Sequence, residues 1–175
     1  IRNGGPPFDR TSNPKHDRIP MSDITLAQAK AIIAAAVADA GARGLAGVSV
    51  VVTDAGGALR AAERTDAAGP FGIGIASAKA RTALGFRRSS IKVAAVFGDK
   101  PSVVTGLNAA VGGDFLPLGG GVVIVGADGA PIGGAALAGG APDVDDAIIA
   151  AAVASAGLAI LLWTRGQIEV GVVAM

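Results

Sequence analysis

Lys79 and Asp66 are the two residues whose types and positions best suit acid–base chemistry. Lys79 lies in the alanine-rich stretch Ser77 to Ala83, where small neighbouring side chains allow close packing around its stem. A lysine removed from water can act as a base or a Schiff-base nucleophile, and a charged one can hold an anionic substrate. Asp66 would be its acid–base partner. In the alternative interpretation Lys79 is a surface residue paired with Asp66 or Asp54, and Asp66 caps a turn.

A second group of residues has the types that bind a ligand. Arg64 can clamp a carboxylate through two parallel N–H groups, and the glycine run at 119–121 could offer backbone N–H groups to a carboxylate or carbonyl oxygen. Alternatively, these glycines only allow a sharp bend or a close approach that a Cβ atom would prevent. We expect one pocket that combines Lys79 and Asp66 with these ligand-binding residues: Arg64, Phe71, Phe115, Gly119, Gly120 and Gly121.

The residue counts exclude several kinds of site. The chain has 175 residues with no Cys, no Tyr and one histidine, His16. Multi-histidine and thiolate metal centres and cysteine nucleophiles are therefore excluded, and a Ser-His-Asp triad is disfavoured. Asp143, Asp145 and Asp146 precede a predicted helix, where negative charge complements the helix dipole; a hard-cation site is the alternative. We predict no metal site.

The charge balance argues against a nucleic-acid partner. Fifteen Lys and Arg against 14 Asp and Glu give a net charge of +1, and the basic stretch 79–100 contains only two aromatic residues, Phe86 and Phe97, which are few for base stacking. Residues 147–164 carry no charge, but seven of these 18 residues are the weakly apolar alanine, and Ser155 and Gly157 lie inside the stretch. A buried helix is the better interpretation than a membrane span, so we expect a cytoplasmic protein with a small-molecule ligand and no membrane partner.

The element pattern predicts an α+β fold. Thr25 and Gln28 form a capping-box pattern before a helix, and short β-branched runs joined by Asp-Gly-type turns predict two hairpins, at residues 48–65 and 122–137. Helices are predicted between the hairpins and over residues 144–162, with a final strand at 168–173. Strands joined as hairpins favour an antiparallel sheet covered by helices over a doubly wound parallel sheet.

The chain divides into three predicted parts. Residues 1–20 hold four of the nine prolines and no apolar run, which is typical of a leader, a tag remnant or an extended arm. Residues 21–162 form the domain, and residues 163–175 form a C-terminal tail.

Six motifs in order give this domain its resemblance to a known family. Over about residues 23–160 the chain resembles the GlcG/HbpS family, which includes the C-terminal domain of PduO. The motifs are Val51–Asp54, Asp66–Pro70, Ser77–Ala83, Phe115–Gly121, Gly126–Gly133 and Gly139–Asp146.

This resemblance implies a profilin-like domain, with about five antiparallel strands flanked by helices, that assembles into homo-oligomers. Some members of the family bind haem and others are linked to corrinoid metabolism, so the resemblance makes haem a candidate cofactor. Residues 21–175, however, contain no His, Cys or Tyr to ligate iron, so the cofactor stays open. Three functions stay open. The first is binding of a tetrapyrrole, another planar cofactor or a small organic acid, and the second is a cofactor-independent lyase, isomerase or hydratase that uses Lys79 and Asp66. The third is an accessory or assembly subunit without pocket chemistry.

Overall fold

The computed structural model describes residues 23–164 and 167–171 as five helices and six strands. In chain order they are α1 (Leu26–Ala42), β1 (Ser49–Asp54), β2 (Leu59–Arg64), α2 (Gly72–Phe86), α3 (Ser90–Phe97), α4 (Pro101–Ala110), β3 (Gly121–Val125), β4 (Pro131–Ala138), α5 (Pro142–Ser155), β5 (Ala159–Thr164) and β6 (Gln167–Gly171).

All six strands belong to one antiparallel sheet in the order β2-β1-β4-β3-β5-β6. The predicted hairpins are β1–β2 and β3–β4. They join through β1 and β4, whose register pairs Ser49 with Ala138 and Asp54 with Gly133. The α+β class and the antiparallel sheet are therefore confirmed, with six strands where about five were expected.

Helices cover both faces of the sheet, so its central strands are buried on both sides. Val50 and Val52 of β1 belong to the main core cluster with α1 and α5, whereas Val51 between them packs with Ala76 and Ala80 of α2. Successive strand side chains point to opposite faces, which explains the consecutive apolar residues Val50–Val52 of β1 and Val122–Val125 of β3. The alanines of α2 let this helix lie close to the sheet.

The first helix begins as its sequence predicts. The Thr25 side chain accepts a hydrogen bond from the Gln28 backbone N–H, and the Gln28 side chain accepts one from the Thr25 N–H. This reciprocal capping box satisfies two backbone donors that the first turn leaves free.

The helix predicted over residues 144–162 is wrong in its second half. α5 ends at Ser155, and residues 159–164 form β5 instead. Gly157 has φ +73°, its N–H donates to Ala154 O, and the Leu158 N–H donates to Val153 O. These are the bonds of a Schellman motif, which stops a helix at a left-handed glycine.

β5 crosses the boundary predicted between residues 162 and 163, and β6 lies within the predicted tail. The predicted leader 1–20, with His16, lies outside the described residues, as do residues 172 and 173 of the predicted final strand. Within the part of the chain that the structure describes, no helix has the length and apolar character needed to cross a bilayer.

Candidate functional site

Lys79 is buried in an ion pair with Asp145. Its side chain is 2% exposed and that of Asp145 is 1% exposed, and Nζ lies 2.8 Å from Asp145 Oδ2. Nζ also donates to the carbonyl oxygen of Leu137 in β4, at 3.0 Å. This buried position agrees with the prediction that the neighbouring alanines allow the stem of Lys79 to be buried. Its partner, however, comes from α5 and not from the loop after β2.

The glycine run packs against this ion pair. Gly120 has φ +107°, and a Cβ atom there would lie 2.6 Å from Leu137 O and 2.7 Å from the Cβ of Asp145. The Gly120 N–H donates to Asp146 Oδ1 at 3.2 Å, and the Gly121 N–H donates to Ser90 Oγ at 2.8 Å. These two N–H groups therefore serve internal bonds, and close approach is the physical reason for glycine here.

The three aspartates around the start of α5 have different surroundings. Asp143 is exposed, whereas Asp145 Oδ1 accepts the Gly140 N–H at 2.7 Å in addition to its bond with Lys79. Burial raises the pKa of Asp146, against the Gly120 N–H and the nearby charges of Lys79 and Lys92, which lower it. Among the described residues no three carboxylates or other metal-ligating side chains group into a cation site.

Asp66 and Arg64 lie at the surface. Asp66 is exposed on the loop after β2, and Arg64 Nη1 donates to the carbonyl oxygen of Ala68 on the same loop at 3.0 Å. The structure pairs Lys79 with Asp145 rather than with Asp66. The catalytic roles of Lys79 and Asp66 stay a prediction, as does carboxylate binding by Arg64.

The two predicted aromatic residues lie in different cavities at opposite ends of α2. Phe71, at the start of the helix, is 79% exposed beside a cavity of about 200 Å³, which we call the Phe71 pocket. Phe115 is 4% exposed and lines a larger cavity of about 580 Å³ beside the end of α2. The single pocket expected from the sequence is thus divided by the packed core around Lys79.

The larger cavity, the hairpin cleft, lies between the β1–β2 turn, the second half of α2 and the segment after α4. Arg81 lines the cleft and bonds to two of its walls: Nε donates to Gly57 O at 2.9 Å, and Nη1 lies 2.6 Å from Asp114 Oδ2. The cleft is lined by Ala55, Gly56, Gly57, Ala58, Arg81, Thr82, Leu84, Gly85, Phe86, Val111, Asp114 and Phe115.

Apolar packing and one internal hydrogen bond support the wall of this cleft. The rings of Phe86 and Phe115 lie 5.3 Å apart, and Phe97 contacts both. Thr82 Oγ1 accepts the Leu116 N–H at 2.7 Å, which fixes the chain beside Phe115. Aromatic residues clustered in this way form a rigid apolar surface.

Sequence reasoning missed Arg81, although it lies in the same motif as Lys79. Two residues along a helix are about 200° apart around the axis, so a buried Lys79 directs Arg81 to a different side of α2. The two-residue spacing between Lys79 and Arg81 was therefore the signal in the sequence that could have identified Arg81. Asp114 could not be found in this way, because only the fold brings it to Arg81.

The sequence comparison identifies the family. The family described as haem-degrading protein HbpS-like matches residues 24–154. The chain belongs to the HbpS-like family. This finding confirms the resemblance seen in the motifs. A search of curated proteins finds no match.

Solved structures similar to this HbpS-like chain include a haem complex and an HbpS variant. A PduOC–haem complex is 26% identical with a TM-score of 0.69, and the match covers 78% of this chain and 96% of that one. A double mutant of Streptomyces reticuli HbpS is 32% identical with a TM-score of 0.65, covering 75% and 86%. Klebsiella pneumoniae ORFY, at 24% identity and TM-score 0.69, covers 77% and 90% and supports the fold alone.

Proposed function

We propose that this protein binds a small molecule in the hairpin cleft. The observation that carries the proposal is the cleft itself, whose volume of about 580 Å³ lies within the range of small-molecule sites. Its walls are mostly apolar, and they include one positively charged side chain, that of Arg81. This combination suits a ligand with an extended apolar body and an anionic group.

Arg81 is the residue that would hold the anionic group. Its side chain is 39% exposed, so a ligand can reach the guanidinium group. A guanidinium group has five N–H donors in a planar fork, and here Gly57 O and Asp114 account for two of these bonds. The carboxylate of Asp114 holds the fork in place and also opposes a second anion, which favours a ligand of low negative charge.

Haem is the cofactor that the family implies, and the described residues fit it only in part. The apolar wall of Phe86 and Phe115 suits a flat macrocycle, and Arg81 suits a carboxylate on its edge. No His, Cys, Tyr or Met occurs in residues 23–164 or 167–171, and the amine of Lys79 is committed to Asp145 and Leu137. Iron ligation therefore does not fit these residues, and we propose no step that involves iron.

Titration with haemin and with metal-free protoporphyrin IX tests this proposal, followed by absorbance and by thermal shift. If the macrocycle and its carboxylates supply the binding, both compounds bind with similar affinity. Val111→Trp places a large side chain at the cleft and should weaken binding at least tenfold. Val103→Trp is the matched control, because Val103 is exposed on α4 and does not line the cleft.

Smaller planar acids extend the same test to other ligand classes. A flat heteroaromatic carboxylate that binds to the wild type but not to Val111→Trp would support the cleft and identify a smaller ligand. The proposal is overturned if neither porphyrin nor any planar acid binds at millimolar concentration, or if the two Trp variants bind equally well.

A further inference from the structure

The Phe71 pocket lies outside the hairpin cleft, at the other end of α2. It is formed where the start of β1, the end of β4 and the first turn of α2 meet. Its volume of about 200 Å³ is somewhat larger than a cavity of about 150 Å³ that holds benzene. The pocket is therefore large enough for a single ring with a polar substituent.

One polar atom in the wall of this pocket has no partner. Ser49 is 0% exposed, and its Oγ has no hydrogen-bond partner within the described part of the chain. Buried hydroxyl groups are nearly always hydrogen-bonded, so an unpaired one points to a water molecule or a ligand. Gly72 allows this arrangement, because a Cβ atom at position 72 would overlap Ser49 Oγ.

The first turn of α2 provides a second, independent attraction for an anion at the same place. The helix has 15 residues, no side chain caps its N-terminus, and its first turn contains no acidic residue. The N-terminus of a helix carries free N–H groups and a partial positive charge. Gly72 lines the pocket and lies against Ser49 Oγ, so the hydroxyl and the first turn of α2 are neighbours. The Gly72 N–H donates to Gly69 O at 3.3 Å, which leaves the N–H groups of Ile73 and Gly74 as the free donors of this turn.

The remaining walls are apolar and open to solvent on one side. Phe71 is 79% exposed and Ile75 is 38% exposed, and both line the pocket. Arg64 adds positive charge nearby through its bond to the carbonyl oxygen of Ala68, another lining residue. Asp66 is exposed on the same loop but is not among the lining residues.

We propose that the Phe71 pocket is a binding site for a small monocarboxylate with an apolar body the size of one ring. One carboxylate oxygen accepts the Ser49 hydroxyl and lies at the N-terminus of α2, and the apolar body packs against Phe71 and Ile75. This site is independent of the hairpin cleft and does not rest on the function proposed for it.

Benzoate is the probe for this site, with binding measured by calorimetry and by ligand-detected NMR. Ser49→Ala removes only the hydroxyl and should weaken benzoate binding about three- to tenfold, the loss of one hydrogen bond. Ser77→Ala, on α2, is the control for loss of a serine hydroxyl, because the Ser77 hydroxyl donates to Ile73 O and Ser77 does not line the pocket. Phe71→Ala should also weaken binding, whereas Val111→Trp in the hairpin cleft should not.

Two further comparisons test the ligand class and the free hydroxyl. Benzamide and toluene should bind more weakly than benzoate, and equal binding would overturn the carboxylate class. Without ligand, Ser49→Ala should melt at a higher temperature than the wild type, because it removes an unpaired buried polar group. A lower melting temperature together with unchanged benzoate affinity would assign the hydroxyl to an internal water and overturn the proposal.

Discussion

At the scale of single residues, the buried pair of Lys79 and Asp145 dominates the centre of the molecule. Lys79→Met removes the positive charge and leaves the Asp145 carboxylate buried without its partner. We expect a loss of about 3 to 5 kcal/mol in the free energy of unfolding, measured by urea denaturation. The double variant Lys79→Met with Asp145→Asn should be more stable than Lys79→Met alone, because the buried negative charge is also gone.

The same variants bear on the enzymatic alternative. If Lys79 acts in catalysis, Lys79→Met removes turnover even where the double variant restores the fold. If its role is structural, any activity returns with stability. Additive losses in the double variant would contradict the pairing described here.

Asp146 gives a second residue-scale prediction, on pH dependence. Its folded pKa is raised above the ordinary value of 3.8, so the folded protein binds this proton at a higher pH than the unfolded chain does. The contribution of Asp146 to stability is therefore least favourable above the raised pKa and improves as the pH falls through it. Asp146→Asn should raise the free energy of unfolding at neutral pH and flatten its pH dependence, as measured by denaturation across that range.

Asp143→Asn is the control for this experiment. Asp143 is exposed in the first turn of α5, where its charge complements the helix dipole. Its removal should lower stability by about 0.3 to 1 kcal/mol, the opposite sign. A loss of stability at neutral pH in Asp146→Asn would show that the attraction of Lys79 and Lys92 outweighs burial.

Residue types indicated burial but not partners. The sequence showed the small side chains around Lys79. It also allowed two interpretations of the glycines at 119–121, and close packing was one of them. Asp145 as a partner was not foreseeable, because it lies 66 positions along the chain and meets Lys79 only after β4 and α5 pack. For the same reason we expected Phe71 and Phe115 in one pocket, although they line cavities at opposite ends of α2.

At the scale of elements, the entry into β3 depends on glycine. Gly120→Ala would place a Cβ atom against Leu137 and Asp145 at φ +107°, so we expect a loss of about 2 to 5 kcal/mol. Gly106→Ala is the matched control within α4, where a Cβ atom meets nothing within 4 Å and helix propensity predicts a gain of up to about 1 kcal/mol. Thermal denaturation of both variants checks the opposite signs.

Elements with explicit boundary signals were predictable, and those without them were not. The capping box before α1 and the Gly-rich turns of both hairpins determined their positions. The second half of α5 is rich in small and apolar residues without a clear polar face, so residues 156–162 looked like a continuation of the helix. Gly157 was the stop signal, and its meaning depends on a left-handed φ that composition alone does not show.

At the scale of the whole molecule, the homo-oligomer stays a prediction. The two edge strands each expose a large apolar side chain, Leu59 of β2 at 59% and Val170 of β6 at 53%. Unprotected edges favour pairing with another chain. Light scattering after size exclusion should give at least about twice the chain mass of 16.9 kDa, and Leu59→Lys should reduce it if β2 is the contact. A mass of one chain at all concentrations would contradict the prediction.

The strand order has a consequence for how the chain acquires its structure. β1 lies early in the sequence. Its neighbour towards the middle of the sheet, β4, comes only after α2, α3, α4 and β3. Contacts between distant parts of a chain slow folding, because loop closure must precede any gain from pairing. We therefore expect folding in milliseconds to seconds rather than microseconds. During synthesis, the valines of β1 stay unpaired on their inner edge until β4 has left the ribosome, which makes this interval the one most exposed to aggregation.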